Sequence, residues 1–144
     1  MRTKLSLFQI LPFAGTLPFV MGALFLLFGV DQIPYFGSID RVVLSYALAI
    51  ISFMAGVHWG HYVSGARTRV NLLVSSNVVT LGAWFGFLLL PKFYFCLLLM
   101  VLFVVLLSID GHLRSAARID AAYMKMRRAV TSIVIISLGV VAFA

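Results

Sequence analysis

Long apolar stretches separated by short clusters of charge dominate the chain. Marking every Asp, Lys and Arg leaves five uncharged runs, residues 5–30, 42–66, 70–91, 93–109 and 129–144. A helix that crosses the hydrocarbon core of a bilayer needs about 20 residues at about 1.5 Å each, with about 17 to 25 tolerated. The first four runs meet that length. The fifth does so once the helix starts near Tyr123 and the stems of Arg127 and Arg128 reach back to the head groups. The pattern therefore predicts an all-α integral membrane bundle of five transmembrane helices, over about residues 5–30, 42–64, 70–90, 92–109 and 123–144, in one transmembrane domain covering residues 1–144.

The breaks have loop chemistry. Asp31 to Asp40 contains Pro34 and Gly37, and Gly65–Arg69 and Leu90–Lys92 are tight links of the kind that force antiparallel neighbours. The connection from Asp110 to about Ala122 is longer. Its alternation of Arg114, Arg118 and Lys125 with apolar residues leaves open an interfacial helix. The first run is read as a span rather than a cleaved signal sequence: it is too long for one, has no clean small-x-small site and carries Pro12 and Pro18.

Composition agrees with this reading. Of 144 residues, 63% are hydrophobic and 10% charged, against about 25% charged in soluble domains. A chain this short cannot wrap so much apolar surface inside a water-facing shell, which excludes a soluble fold. The net charge is +7, from 11 Lys and Arg against four Asp. Without a hydrophilic face to carry a phosphate-binding patch, that excess is a topology signal, and no nucleic-acid partner is expected. Five spans place Arg2, Lys4, Arg67, Arg69, Arg114, Arg118, Lys125, Arg127 and Arg128 on one side, and Arg41 and Lys92 on the other. Nine against two sets the N-terminus in the cytoplasm (or the matrix) and the C-terminus opposite. The membrane expected is the bacterial inner membrane, or the mitochondrial inner membrane in a eukaryote. The single Cys96 allows no intramolecular disulfide and no cysteine-based metal site.

Polar residues within spans mark function because lipid cannot satisfy them. Gln9, Thr16, His58, His61, Asn71, Ser75, Ser76, Asn77, Ser108, Thr131 and Ser132 all fall towards the basic side. In the second span Ser52, Gly56, Gly60 and Ser64 repeat every four residues, the small-xxx-small pattern of closely packed membrane helices, and packing within the chain is preferred here over dimerisation. His58 and His61 share the opposite face. One face is thus expected to pack and the other to present histidines, His58 hydrogen-bonding to Asn77 or Ser76. A metal held with His112 or Asp110, a haem iron and a quinone at His58 are the sharper alternatives. With no acid or base other than histidine at mid-span, a proton or solute pathway has only His58 to work with. Trp59 and the tyrosines fall near span ends, as interfacial belts require, whereas Trp84 is expected to pack inside the bundle. Asp120 is a candidate cap for the last helix. No nucleophile–base pair or phosphate loop occurs, so no catalytic residue, resident metal or cofactor is assigned.

Several segments together resemble one family, the small multi-span proteins known as domain of unknown function 3429, which includes the transmembrane protein 69 group. Leu11–Phe19 is similar to its L-x-x-x-G-x-x-P-F element, Tyr46–Gly60 (YALAIISFMAGVHWG) to its Y-x-x-x-I-L-S-F-x-x-G-x-H-W-G hallmark, and Val78–Trp84 to its V-V-P-S-L-x-A-W stretch. Asp110 resembles the acid closing the fourth span, and Tyr123, Arg127 and Thr131 fit W-Y-x-x-x-R-x-x-L-T. Val79 and Thr80 replace Pro-Ser, and Ala122 replaces the Trp. The resemblance implies five spans and carries no activity. It singles out Gly56, His58, Trp59, Gly60, Asp110 and Arg127, with Asp110 and Arg127 as an expected ion pair between the last two spans. The function expected is that of a non-catalytic accessory, assembly or structural partner of a membrane complex, its contacts being the bilayer and a membrane-protein partner or second copy. The alternatives are a small-solute or proton carrier using His58, and a haem- or quinone-binding redox subunit.

Overall fold

The structure, a computed structural model, describes residues 7–144. Arg2, Lys4 and the side chain of Gln9 lie outside the described residues. Five segments are long and apolar enough to cross a membrane, Ile10–Leu27, Ile39–Val63, Leu72–Leu89, Lys92–Ser115 and Ala121–Phe143, and the protein is a multi-span helical membrane bundle.

The first span is two helices, α1 (Leu7–Ala14) and α2 (Leu17–Leu27). Pro18 has no N–H to give the Ala14 carbonyl, and the α-helical ladder is interrupted at Gly15 and Thr16. The break is closed by side chains: the Thr16 hydroxyl donates to the Phe13 carbonyl at 2.6 Å, and the Tyr46 hydroxyl donates to the Gly15 carbonyl at 2.8 Å. Phe19 follows the break and is fully buried, tilted against Tyr46 at 5.2 Å and edge-on to Phe103 at 6.1 Å.

Between the first two spans, β1 (Gln32–Ile33) and β2 (Gly37–Ser38) pair antiparallel around the turn Ile33–Phe36, closed by the Phe36 N–H on the Ile33 carbonyl at 3.2 Å. Pro34 takes the second position of that turn, and Tyr35 takes the third at φ 70°, a left-handed conformation that suits glycine or asparagine. Ser38 then caps α3 (Ile39–Val63) by accepting from the Arg41 N–H at 3.3 Å. Asn71 caps α4 (Leu72–Leu89), accepting from Leu73 and Val74 at 3.0 and 3.2 Å. Helix α5 (Lys92–Ser115) starts directly after Pro91, and Asp120 caps α6 (Ala121–Phe143) by accepting from the Tyr123 N–H at 2.7 Å.

One boundary differs from expectation. Helix α5 does not stop before Asp110 but runs on to Ser115, and only residues 116–120 connect it to α6. No interfacial helix intervenes. Asp110 consequently lies inside a spanning helix, where the pattern of charges placed no acid, and Arg127, expected near the start of the last span with its stem reaching back to the head groups, is buried against it. A charge ends a span only where it needs water, and Asp110 has its partner, Arg127, on the next helix.

The helices pack chiefly as α3 on α4 and α5 on α6, with α2 in the groove between α3 and α6. The core runs through Phe19, Val43, Ala47, Ile51, Ala55, Val79, Ala83, Phe95, Leu99, Phe103, Leu106 and Leu138, together with Cys96. The outer surface is as apolar as the interior, with Phe53, Val78, Leu88, Val104 and Ile136 exposed, as a hydrocarbon solvent requires. At one end lie the α3–α4 and α5–α6 connections with Arg67, Arg69, Arg114 and Arg118, here called the basic end. At the other, Lys92 donates to Asp40 at 3.3 Å and to the Ala144 carbonyl at 2.9 Å, joining α3, α5 and α6.

Close helix approach is achieved at glycines other than those expected. A Cβ on Gly22 would collide with Val43 across α2–α3, and one on Gly86 would collide with Leu98 across α4–α5. A Cβ on Gly56 or Gly60 would meet nothing within 4 Å. The Ser52–Gly56–Gly60–Ser64 seam therefore does not pack within the chain. Its two serines turn back onto the Leu48 and His61 carbonyls of their own helix. The inward seam of α3 is Val43, Ala47, Ile51 and Ala55, also spaced by four, leading straight to His58. Trp84 is not inside either: it is half-exposed and leans on Phe85 at 5.0 Å, and Trp59 is likewise half-exposed.

Candidate functional site

Two charged side chains and a histidine meet about five residues in from the basic end. The Asp110 carboxylate on α5 receives the His58 Nε2–H of α3 on one oxygen at 2.8 Å and the Arg127 Nε–H of α6 on the other at 2.7 Å. His58 is 0% exposed, Asp110 2% and Arg127 5%, so the network is enclosed by protein. Each member arrives by helical register. His58 continues the Ala47–Ile51–Ala55 stripe of α3, Asp110 follows Leu99, Leu102, Phe103 and Leu106 along the buried side of α5, and Arg127 shares its face of α6 with Thr131 and Val134.

The electrostatics follow from burial. An isolated charge here would cost several kcal/mol, roughly, and the carboxylate and guanidinium cancel each other in direct contact. His58 adds a donor to the remaining carboxylate oxygen, which fixes Nε2 as the protonated nitrogen when the ring is neutral. Three helices are tied at one point.

Polar capacity remains around this point. His58 Nδ1, Arg127 Nη2 and Thr131 Oγ1 are buried without a hydrogen-bond partner. Thr131 is one turn beyond Arg127 on the same face, 2% exposed. Its hydroxyl behaves unlike those of Ser45, Ser52, Ser76, Ser108, Ser132 and Ser137, all of which donate to a carbonyl of their own helix. Half-buried His61 and Tyr123 lie within electrostatic reach of Asp110. A second apolar cluster of Ala66, Leu72, Ile109 and Leu113, with Tyr62, Val70 and Ile119 against it, closes the basic end beside the network. Arg67 joins that wall, lying over the Tyr62 ring at 4.1 Å and donating to the Tyr62 and Ala66 carbonyls.

The structure brings together His58, Asp110 and Arg127 from the expected cluster and leaves two residues out. Asn77 is exposed and donates to the Leu73 carbonyl of its own helix, and Ser76 does the same, so neither is the partner of His58. His61 approaches without a hydrogen bond to the network. Among the described residues no three His, Cys, Asp or Glu side chains group as a metal site would require. Two residues named in the sequence only as motif or polar positions contribute as well: Tyr46, whose role depends on the carbonyl 31 residues earlier, and Thr131, whose place beside Arg127 follows from their spacing of four.

The geometry links the segments that carry the resemblance. The Pro18 break meets Tyr46 at the head of the Tyr46–Gly60 stretch, and the far end of that stretch delivers His58 to Asp110 and Arg127. No curated protein and no solved structure matched the chain. The family described as "Protein of unknown function (DUF3429)" matches residues 6–143, nearly the whole sequence, and the chain belongs to that family.

Proposed function

We propose that this protein is a non-catalytic partner within a membrane-protein complex, docking a helix of another membrane protein against the outer face of α3. The bacterial inner membrane, or the mitochondrial inner membrane, is its place, with the basic end on the cytoplasmic or matrix side. The observation that carries this reading is the uncovered seam at Gly56 and Gly60, where small residues leave the backbone open to close approach while His58 of the same helix is locked inside. The His58–Asp110–Arg127 tie then serves to hold α3 at a fixed rotation, so that the seam stays outward.

The test is Gly60→Leu, read in gentle detergent by native mass spectrometry and by thermal unfolding. Loss of a co-purifying membrane protein with unchanged unfolding supports the reading. A complex of wild-type mass in the variant, or a wild-type protein that purifies alone, removes it. The unpaired buried atoms around Arg127 favour a second reading, a small-solute or proton carrier. For that reading, flux into liposomes should vanish with His58→Ala.

A further inference from the structure

We infer that the open groove between α2 and α6 holds one acyl chain of a glycerophospholipid whose phosphate is received by Lys92. The groove has a volume of about 560 Å³ and lies between Leu26 and Leu27 at the end of α2 and Ile136, Gly139, Val140 and Phe143 of α6. Gly139 makes room for it, since a Cβ there would meet nothing within 4 Å. The inference does not depend on whether α3 docks a partner.

The lining decides the chemistry of the occupant. None of those six residues carries a polar side chain, and the one hydroxyl on this stretch of α6, that of Ser137, is buried and donates to the Ile133 carbonyl of its own helix. A sugar, nucleotide or ion would find no side-chain partner inside the groove, whereas a hydrocarbon chain loses nothing there, because lipid tails and aliphatic side chains are equally apolar. Length agrees. Ile136 to Phe143 covers about 11 Å of α6 at about 1.5 Å per residue, against about 15 Å for one leaflet of a hydrocarbon core about 30 Å thick. The groove therefore follows most of one leaflet.

A head-group anchor distinguishes this groove from the rest of the lipid-facing surface. Ala144 lines its Lys92 end, and the Ala144 carbonyl accepts from Lys92 Nζ at 2.9 Å. Phe143 stands edge-on to Phe93, the residue after Lys92, at 5.5 Å. The ammonium thus sits one residue from the mouth of the groove. Of its three N–H donors one goes to Ala144 and one to Asp40 at 3.3 Å, and the side chain is 32% exposed, which leaves the third donor open to the head-group region. Asp40 balances the charge of Lys92, so the group recognised is a phosphate oxygen as acceptor and not the net charge of the lipid. A glycerophospholipid joins the two requirements in one molecule, a hydrocarbon tail and a phosphodiester at its head.

The probe is dioleoyl phosphatidylglycerol, compared with dioleoylglycerol, which has the same chains and no phosphate, each titrated onto delipidated full-length protein in gentle detergent and counted by native mass spectrometry. The wild-type protein should hold one phospholipid more tightly than any that follow and should not retain the diacylglycerol. Phosphatidylethanolamine with the same chains should bind as phosphatidylglycerol does. Gly139→Phe, which fills the groove, should abolish the first binding event with thermal unfolding in lipid-free detergent unchanged. Lys92→Gln, which puts a neutral donor in place of the ammonium, should weaken it about tenfold. Weak, evenly graded binding with no distinguished first molecule, or equal retention of the diacylglycerol, would overturn the inference on the wild-type protein alone. A strong preference for phosphatidylglycerol, or wild-type binding in Gly139→Phe, also overturns it, since the lipid would then be held elsewhere, at the exposed arginines of the basic end.

Discussion

At the scale of single residues, the decisive fact is that Asp110 has two partners on two other helices. Removing one member of a buried charge pair leaves the other uncompensated, at a cost of about 3–5 kcal/mol, whereas replacing both by apolar residues of similar size is often neutral. Asp110→Asn should therefore lower the unfolding stability by about 3 kcal/mol, and the double variant Asp110→Leu, Arg127→Met should recover most of that loss in the same denaturation assay. Equal instability of the two variants would show that the site matters through shape and not through charge. Tyr46 has a lesser task. Its hydroxyl closes the Gly15 carbonyl at the break in the first span, and interhelical hydrogen bonds in membranes average about 0.6 kcal/mol, so Tyr46→Phe should cost about that much while leaving the Phe19 contact in place. Tyr35 is opposite in sign: it sits at φ 70° and wholly exposed, so Tyr35→Asn should raise the midpoint by an amount equivalent to about 1 kcal/mol.

At the scale of elements, two glycines separate packing from appearance. Gly22 lies where α2 and α3 touch and Gly56 lies where nothing touches α3. Gly22→Ala should cost about 1–3 kcal/mol through overpacking, be relieved by Val43→Ala, and contrast with Gly56→Ala, which should leave unfolding in detergent unchanged. This contrast was not legible in the sequence, and the cause is physical. In a soluble helix the polar face announces the outside, but lipid and protein core are equally apolar, so α3 carries a glycine stripe and an alanine stripe with nothing to say which turns inward. The stripe that turns inward is the one that leads to His58, which hydrogen-bonds to Asp110 within the protein. The spans themselves were legible, since each needs about 20 residues free of charge. The pair Asp110 and Arg127 was expected from the family resemblance, while the continuation of α5 through Asp110 to Ser115 was hidden by the very charge that the pair buries.

At the scale of the whole molecule, the charge distribution is the property that fixes placement in the membrane. Arg67, Arg69, Arg114, Arg118, Lys125 and Arg128 are all exposed around the basic end, whereas Lys92 at the opposite end is engaged with Asp40. Positive residues near the ends of spans resist translocation, and short connections such as 64–71 and 116–120 are the segments in which that rule is strongest. The buried pair adds nothing to this asymmetry because Asp110 cancels Arg127. Orientation should accordingly be insensitive to the double variant at Asp110 and Arg127 and sensitive to the exposed set. A cysteine placed at Ser115 should be blocked only by a reagent that crosses the membrane, and one at Tyr35 by an impermeant reagent added outside. Replacing Arg67, Arg69, Arg114 and Arg118 by Gln together should produce a mixed population in the same labelling. Uniform labelling of that fourfold variant in the wild-type pattern would mean that another signal orients the bundle, such as the hairpin that carries Tyr35.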